Sequence, residues 1–196
     1  AHLVTYYVKG GAAVNIVAVN ESADWVAESW TEPSTREELV DAYAGWHENV
    51  IRLLEQTDKQ QIFKWGLFDR DPMERWSKGR VTLLGDAAHP MLPFLSQGAA
   101  MAIEGGYVLA AALAHSGSDV EAALDAYEAE RRPRTARVQL EARERGKTYH
   151  LASPEEQKKR DLEFQRAQAK NPNAVGIKAE WGYEYDATRC VERVGT

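Results

Sequence analysis

The chain has 196 residues, a net charge of −6 and an ordinary globular composition, 44% hydrophobic and 28% charged. The acidic balance argues against nucleic acid, whose phosphates need a basic surface to track them. A single cysteine, Cys190, leaves no disulfide within the chain and favours a reducing, cytoplasmic setting, and neither a membrane-crossing run nor a signal peptide is read from the sequence.

From the N-terminus, His2 to Val8 is β-branched and aromatic, Lys9-Gly10-Gly11 is a turn, and Ala13 to Val19 is a second apolar run. Two such runs across a glycine turn predict an antiparallel hairpin. Alternate strand residues share a side, so His2, Val4 and Tyr6 fall on one face. Asn20 to Pro33 reads as an irregular connection anchored by Trp25 and Trp30. Ser34 or Thr35 is placed to cap a helix with Glu37 and Glu38 in its first turn, and Leu39, Ala42, Tyr43 and Trp46 form its predicted buried stripe. Val50, Leu53 and Leu54 predict a short second helix, Gln61 to Phe68 a further strand, and Asp69 to Lys78 a loop carrying Trp76.

The stretch from Gly79 to Glu104 carries the chemistry. Val81 to Leu84 predicts a short buried strand stopped by Gly85-Asp86; a proline-bracketed loop follows, and then a helix of small residues from Gly98. An acceptor-only carboxylate at a rigid strand end, beside a glycine that permits close approach, suits the hydroxyls of a sugar or ribityl chain. A plain turn cap is the other reading of Asp86. Gly98, Ala99 and Ala100 open the helix where unpaired N–H groups and the dipole favour negative charge, although a glycine there also serves tight packing. Ala99, Ile103, Gly106, Ala110 and Leu113 predict a stripe packed closely on a sheet or another backbone. Such packing would offset the ~1 kcal/mol that each of Gly105 and Gly106 costs in a helix.

Ser118 to Glu121 starts the next helix, with Val120, Ala123, Leu124 and Tyr127 as its apolar stripe and Pro133 expected to kink or restart it. Arg131, Arg132, Arg134 and Arg137 read as a solvated face paired with Glu128, Glu130 and Glu141. Pro154 to Lys170 is a charged helix, and the tail to Thr196, with Trp181, Tyr183 and Tyr185, is expected along the surface. His89, set among alanines, reads as structural, and His47, His115 and His150 as surface or helix-end residues. No His or Cys spacing suggests a metal site.

The run Gly85-Asp86-Ala87-Ala88-His89-Pro90, followed by Gln97-Gly98-Ala99, closely resembles the second flavin-binding motif of the FAD-dependent aromatic-ring hydroxylases, the monooxygenases that include salicylate and hydroxybenzoate hydroxylases. That resemblance implies an α/β chain, an α+β piece of a two-domain FAD/NAD(P)-binding flavoprotein fold. Residues 1–78 would be part of the substrate domain, 79–150 the motif strand and C-terminal helices, and 151–196 a helical and irregular tail. It implies that Gly85, Asp86, Pro93, Gln97, Gly98, Ala99 and Ala100 hold FAD, and that Pro93 and Phe94 line the substrate pocket. Some relatives have a polar or imidazole side chain there, so this pocket is expected to be more apolar on that side. Ser96 replaces a common small residue, and Gly105-Gly106 stand where many relatives have Asp-Ala.

By the same resemblance, NAD(P)H would reduce FAD and one oxygen atom from O2 would pass to a phenolic or N-heteroaromatic substrate. Some relatives place a His and a Tyr four residues apart on the strand corresponding to His2 to Val8. His2 would then take the phenol proton, as an imidazole with a pKa near 6.5 can do at neutral pH, and Tyr6 would orient the ring. A ragged terminal His and a sheet-packing Tyr are the alternative. The family also needs an N-terminal Rossmann βαβ unit with Gly-x-Gly-x-x-Gly for the pyrophosphate. The fourteen glycines here include no Gly-x-Gly, and the chain opens without Met in an evident strand. A fragment is therefore expected, missing its N-terminal half and binding FAD weakly or not at all alone. Two other readings compete: another flavoenzyme with the same motif, such as a halogenase or reductase, and a non-enzymatic remnant whose exposed edges drive homodimerisation.

Overall fold

The structure, a computed structural model, describes residues 1–22, 29, 31–170 and 180–190. Trp25 and Trp30 lie outside the described residues. The chain divides into two compact units, Ala1–Leu67 and Phe68–Thr196.

In the first unit, β1 (His2–Val8) and β2 (Ala13–Val19) form the predicted antiparallel hairpin, with His2 opposite Val19 and Tyr6 opposite Asn15. Lys9, Gly10 and Gly11 all take positive φ (51°, 65° and 94°), which explains the glycine pair at the turn. A two-residue pair, β3 (Glu32–Pro33) and β4 (Phe63–Lys64), two helices, α1 (Arg36–Asp41) and α2 (Glu48–Glu55), and the 3-10 turn Lys59–Gln61 follow among the described residues. Thr35 caps α1 by accepting the Glu38 amide at 3.0 Å, and His47 caps α2 through Nδ1. Two expectations contract here. The strand predicted over Gln61 to Phe68 pairs only at Phe63–Lys64, because β3 offers it a two-residue partner. Helix α1 ends at Asp41, so of its supposed stripe Tyr43 is buried in the following turns, while Trp46 stays 38% exposed with its ring edge-on to Tyr43. The Tyr43 hydroxyl donates to the carbonyls of His2 (2.8 Å) and Val19 (3.3 Å), clasping the open end of the hairpin. Burial pushes that phenol up to about 12.

The second unit is built on two long helices. α3 (Gly98–Ser116) packs along α4 (Val120–Tyr149), and a small hairpin of β5 (Ser77–Lys78) and β6 (Val81–Thr82) lies against α4. Trp76, Ala88, Val108, Ala112, Tyr127 and Cys190 share its core. The motif strand is shorter than predicted and not buried: Val81 is 69% exposed, because a two-stranded ribbon covers only one of its faces. α4 runs unbroken through Pro133, which is exposed and gives up only its own helical hydrogen bond.

Three corrections concern side chains. α3 buries Met101, Gly105, Val108 and Ala112, whereas the predicted stripe faces outward, with Ile103 74% exposed. A helix apolar on every side does not declare which face its partner takes. Gly105 does serve close packing, since a Cβ there would stand 3.1 Å from Leu84 Cδ1, but nothing lies within 4 Å of one at Gly106. The arginines are not a solvated face. Arg131 is fully buried and Arg134 nearly so, and both pair with Glu104 of α3, at 2.6 and 2.8 Å; Arg137 on Glu141 and Arg132 on Glu128, at 2.7 and 3.9 Å, match the expectation. The tail, expected along the surface, is partly buried over its described residues 180–190, where Cys190 is enclosed and Tyr183 exposed. After α5 (Pro154–Lys170), α6 (Glu180–Tyr183) and the 3-10 turn Ala187–Cys190 dock on the α3–α4 pair, with Cys190 buried. Arg134 donates to the carbonyls of Trp181 and Gly182, Arg137 lies 3.7 Å from the Trp181 ring centre, and the Trp181 indole N–H donates to Glu141.

One further expectation changes. α3 is by length and composition apolar enough to cross a membrane. Its Glu104, paired with two arginines of α4, belongs instead to a helix packed within a folded unit.

Candidate functional site

The site grows from the end of β6. Leu84 is extended, and Gly85 then turns into the left-handed region (φ 61°), which any side chain would strain. A Cβ there would also meet Ala102 Cβ of α3 at 3.5 Å, so the turn is seated against the helix it leads to. Asp86 follows in the 3-10 turn Gly85–Ala87 with its carboxylate exposed. The amides of Ala88 and His89 both return to the Gly85 carbonyl, at 2.9 and 3.0 Å.

Polar side chains of the second unit hold this loop by its carbonyls. Tyr127 donates to Leu83 O at 3.2 Å, Arg70 to Ala87 O, and the buried Gln139 through Nε2 to Pro90 O at 3.0 Å. The buried carboxylate of Glu128 accepts the amides of Trp76 and Ser77, each at 2.9 Å, fixing the start of the hairpin. Burial raises the Tyr127 hydroxyl to about 12, so it remains a donor at neutral pH. His89 is buried beside the Trp76 ring, 5.4 Å between centres, with Nδ1 unsatisfied by protein. Burial lowers its pKa, and the charge of Arg131 acts in the same direction. His89 is thus a neutral, interior residue, as expected of a structural role.

The loop then forms the 3-10 turn Pro93–Leu95, closed by Ser96 in the left-handed region (φ 54°), and enters α3 at Gly98. Gln97 is buried at the N-cap, yet its side chain makes no capping hydrogen bond, and none reaches the helix start from another side chain among the described residues. The first-turn N–H groups of Gly98, Ala99 and Ala100 have no partner within the helix, so the positive end of a 19-residue helix stands uncapped, reached from Asp86 through one short loop. The residues present fit FAD in part. An exposed carboxylate on a rigid turn can accept ribityl hydroxyls, and an uncapped helix start suits the electron-rich pyrimidine edge of the ring. Phe94 is half-buried and Pro93 exposed, and the Phe94 ring leans on the last turn of α4, edge-on to Tyr149 and His150.

His2 and Tyr6 belong to the first unit. The hairpin register keeps them on the shared face with Val4, and Tyr6 is 53% exposed. Sequence reasoning missed the supports: Tyr127, Glu128 and Gln139 on α4, and Glu104 paired with Arg131 and Arg134. One signal was available. A lone carboxylate in an otherwise apolar helix needs a cation, and arginines three apart supply one face.

An FAD binding domain family model matches residues 11–142. The chain is 40% identical over 186 residues to a 3-amino-4-hydroxybenzoate 2-monooxygenase of Streptomyces platensis, covering 95% of this chain and 45% of that protein. It is 34% identical over 192 residues to a 3-hydroxybenzoate 6-hydroxylase of Klebsiella oxytoca, covering 97% and 46%. A salicylate hydroxylase solved with its substrate superposes with a TM-score of 0.76 at 30% identity, over 98% of this chain and 47% of that one. The chain therefore spans less than half the length of these relatives.

Proposed function

This chain belongs to the FAD-binding domain family, and from that premise we propose that it is the C-terminal part of an FAD-dependent monooxygenase acting on a hydroxylated aromatic acid or N-heteroaromatic ring. The observation that carries the reading is the Gly85-Asp86 turn, locked against α3 and joined by one loop to the uncapped start of that helix. When bound, FAD supplies oxygen activation with electrons from NAD(P)H. The chain's own residues do the rest. Asp86 accepts ribityl hydroxyls, the amides of Gly98 to Ala100 stabilise the electron-rich edge of the ring, and Gln97 and Pro93 border it. Pro93 and Phe94 form an apolar wall for the substrate. His2 takes the phenolic proton, which makes the ring more electron-rich at the carbon to be hydroxylated, and Tyr6 orients it. These two roles rest on the resemblance of β1 to the matching strand of the hydroxylases. A cytoplasmic setting accords with the relatives' chemistry and the single cysteine.

The 196-residue chain alone lacks a Gly-x-Gly-x-x-Gly unit, so we expect it to bind FAD weakly and to turn nothing over. The exposed Val81, Ile103 and Tyr107 would drive it to self-associate. The test is direct: the full-length protein is titrated with FAD and assayed for substrate-dependent NAD(P)H oxidation and hydroxylated product. Asp86→Ala should weaken FAD binding at least tenfold, and His2→Ala should lower turnover with FAD affinity intact. Tight FAD binding by Asp86→Ala, or full turnover by His2→Ala, would remove the corresponding role. Halogenated product, or flavin reduction with no product at all, would favour the other flavoenzymes sharing this motif.

A further inference from the structure

Gly146, near the end of α4, presents a glycine that its backbone does not require. Its φ is not positive, and a helical glycine costs about 1 kcal/mol against alanine. What it supplies is room. A Cβ at Gly146 would stand 2.6 Å from Phe94 Cε2 and 2.7 Å from Phe94 Cδ2, inside any tolerable contact. The ring completes its seat edge-on to Tyr149 (6.2 Å between centres) and His150 (6.0 Å). The Gly146 carbonyl accepts the His150 amide at 3.1 Å, so the seat is part of the helix terminus and holds its shape. Phe94 itself sits at the centre of a three-residue 3-10 turn pinned by Pro93 and by left-handed Ser96, so its backbone has little freedom to retreat. A methyl group at residue 146 would leave the ring one way to move, off α4.

We propose that Gly146 is a specificity-determining positioning residue: the slot it leaves in α4 parks the Phe94 ring away from the flavin side and so sets the depth of the aromatic substrate pocket. The proposal rests on the reading of Phe94 as a pocket wall. Alanine at 146 displaces the ring toward the substrate and shortens the pocket by the size of the displaced edge. A mismatch of about one methylene in an apolar pocket changes selectivity by roughly 10–200-fold. The penalty falls on recognition rather than on the chemical step, and it grows with the size of the ring.

The experiment is a double-mutant cycle in the full-length, FAD-loaded protein, using Gly146→Ala, Phe94→Ala and the pair, read by melting temperature and by kinetics on a one-ring and a two-ring hydroxylated aromatic acid. Gly146→Ala should lower Tm in the presence of Phe94 and raise it in the Phe94→Ala background, where the clash is gone and helix propensity alone remains. Gly146→Ala should raise KM about tenfold for the one-ring substrate and further for the two-ring one, with kcat within about twofold, and in the Phe94→Ala background it should leave KM where Phe94→Ala alone puts it. The same Tm shift in both backgrounds would overturn the slot itself. A sign reversal in Tm with unchanged KM for both substrates would show a packing role only and overturn the specificity claim. A wild-type protein that binds FAD but accepts no aromatic acid would overturn the proposed function, and this claim with it, even if Tm reverses sign.

Discussion

The two units hold their candidate residues in different ways. In the second, backbone groups on and beside the loop after Gly85 are gripped by side chains from a long helix: Leu83 O by Tyr127, Pro90 O by Gln139, and the Trp76 and Ser77 amides by Glu128. In the first, His2 and Tyr6 ride on a two-stranded ribbon whose open end is clasped by the Tyr43 hydroxyl, and Tyr6 and Tyr7 are exposed. A cofactor grip must be rigid before the ligand arrives, because every freedom lost on binding subtracts from affinity. A residue that hands a proton to or from substrate can tolerate a softer mount.

Substitutions can break or sharpen that contrast. The largest effect should come from Glu104→Ala, which strands the buried Arg131 and Arg134 without their shared anion and should cost the second unit about 3–5 kcal/mol. A urea midpoint unchanged from wild type would mean that other groups satisfy the two arginines. Next is His89. Burial holds its pKa below the ordinary value of 6.5, so the unfolded chain takes up the proton first and stability falls as pH drops below about 6.5. The slope can approach 1.4 kcal/mol per pH unit while the folded histidine stays neutral. His89→Gln should flatten the stability profile between pH 7 and 5.5, and parallel profiles for the two proteins would refute the assignment.

Tyr43→Phe removes one clasp from the softer unit, for about 1 kcal/mol. In the full-length protein it should lower turnover through His2 while FAD affinity holds; a change in FAD affinity would mean that the two mounts are not independent. The smallest effect belongs to the adjacent glycines of α3. In the isolated chain Gly106→Ala should stabilise by up to about 1 kcal/mol, whereas Gly105→Ala should gain less, because its Cβ would stand 3.1 Å from Leu84 Cδ1. A larger rise in melting temperature for Gly105→Ala than for Gly106→Ala would contradict the assignment of buried and outward faces.

The local features were legible because local chemistry decides them. The hairpin turn needed glycine, Thr35 offered a cap, Gly98 opened a run of helix formers, and Gly85-Asp86 carried the motif within a few residues. What escaped was set by partners far along the chain. Which side of α3 is buried depends on α4, since α3 is apolar on every side. Arg131 and Arg134 looked like surface charge because their carboxylate lies 27 and 30 residues away at Glu104. The docking of Trp181 and Cys190 depends on those same arginines and on the α3–α4 core. Gly146 is invisible without Phe94 beside it.

The Glu128 carboxylate has one more consequence. Two adjacent backbone amides, at Trp76 and Ser77, share a single buried acceptor supplied from a helix some fifty residues later in the chain. Their exchange with deuterated solvent requires that helix and hairpin to separate, so they should be among the slowest in the second unit. In a labelling experiment with added flavin they would act as an internal clock, reporting opening of the whole unit, against which protection of the Gly98 to Ala100 amides would test the proposed flavin contact.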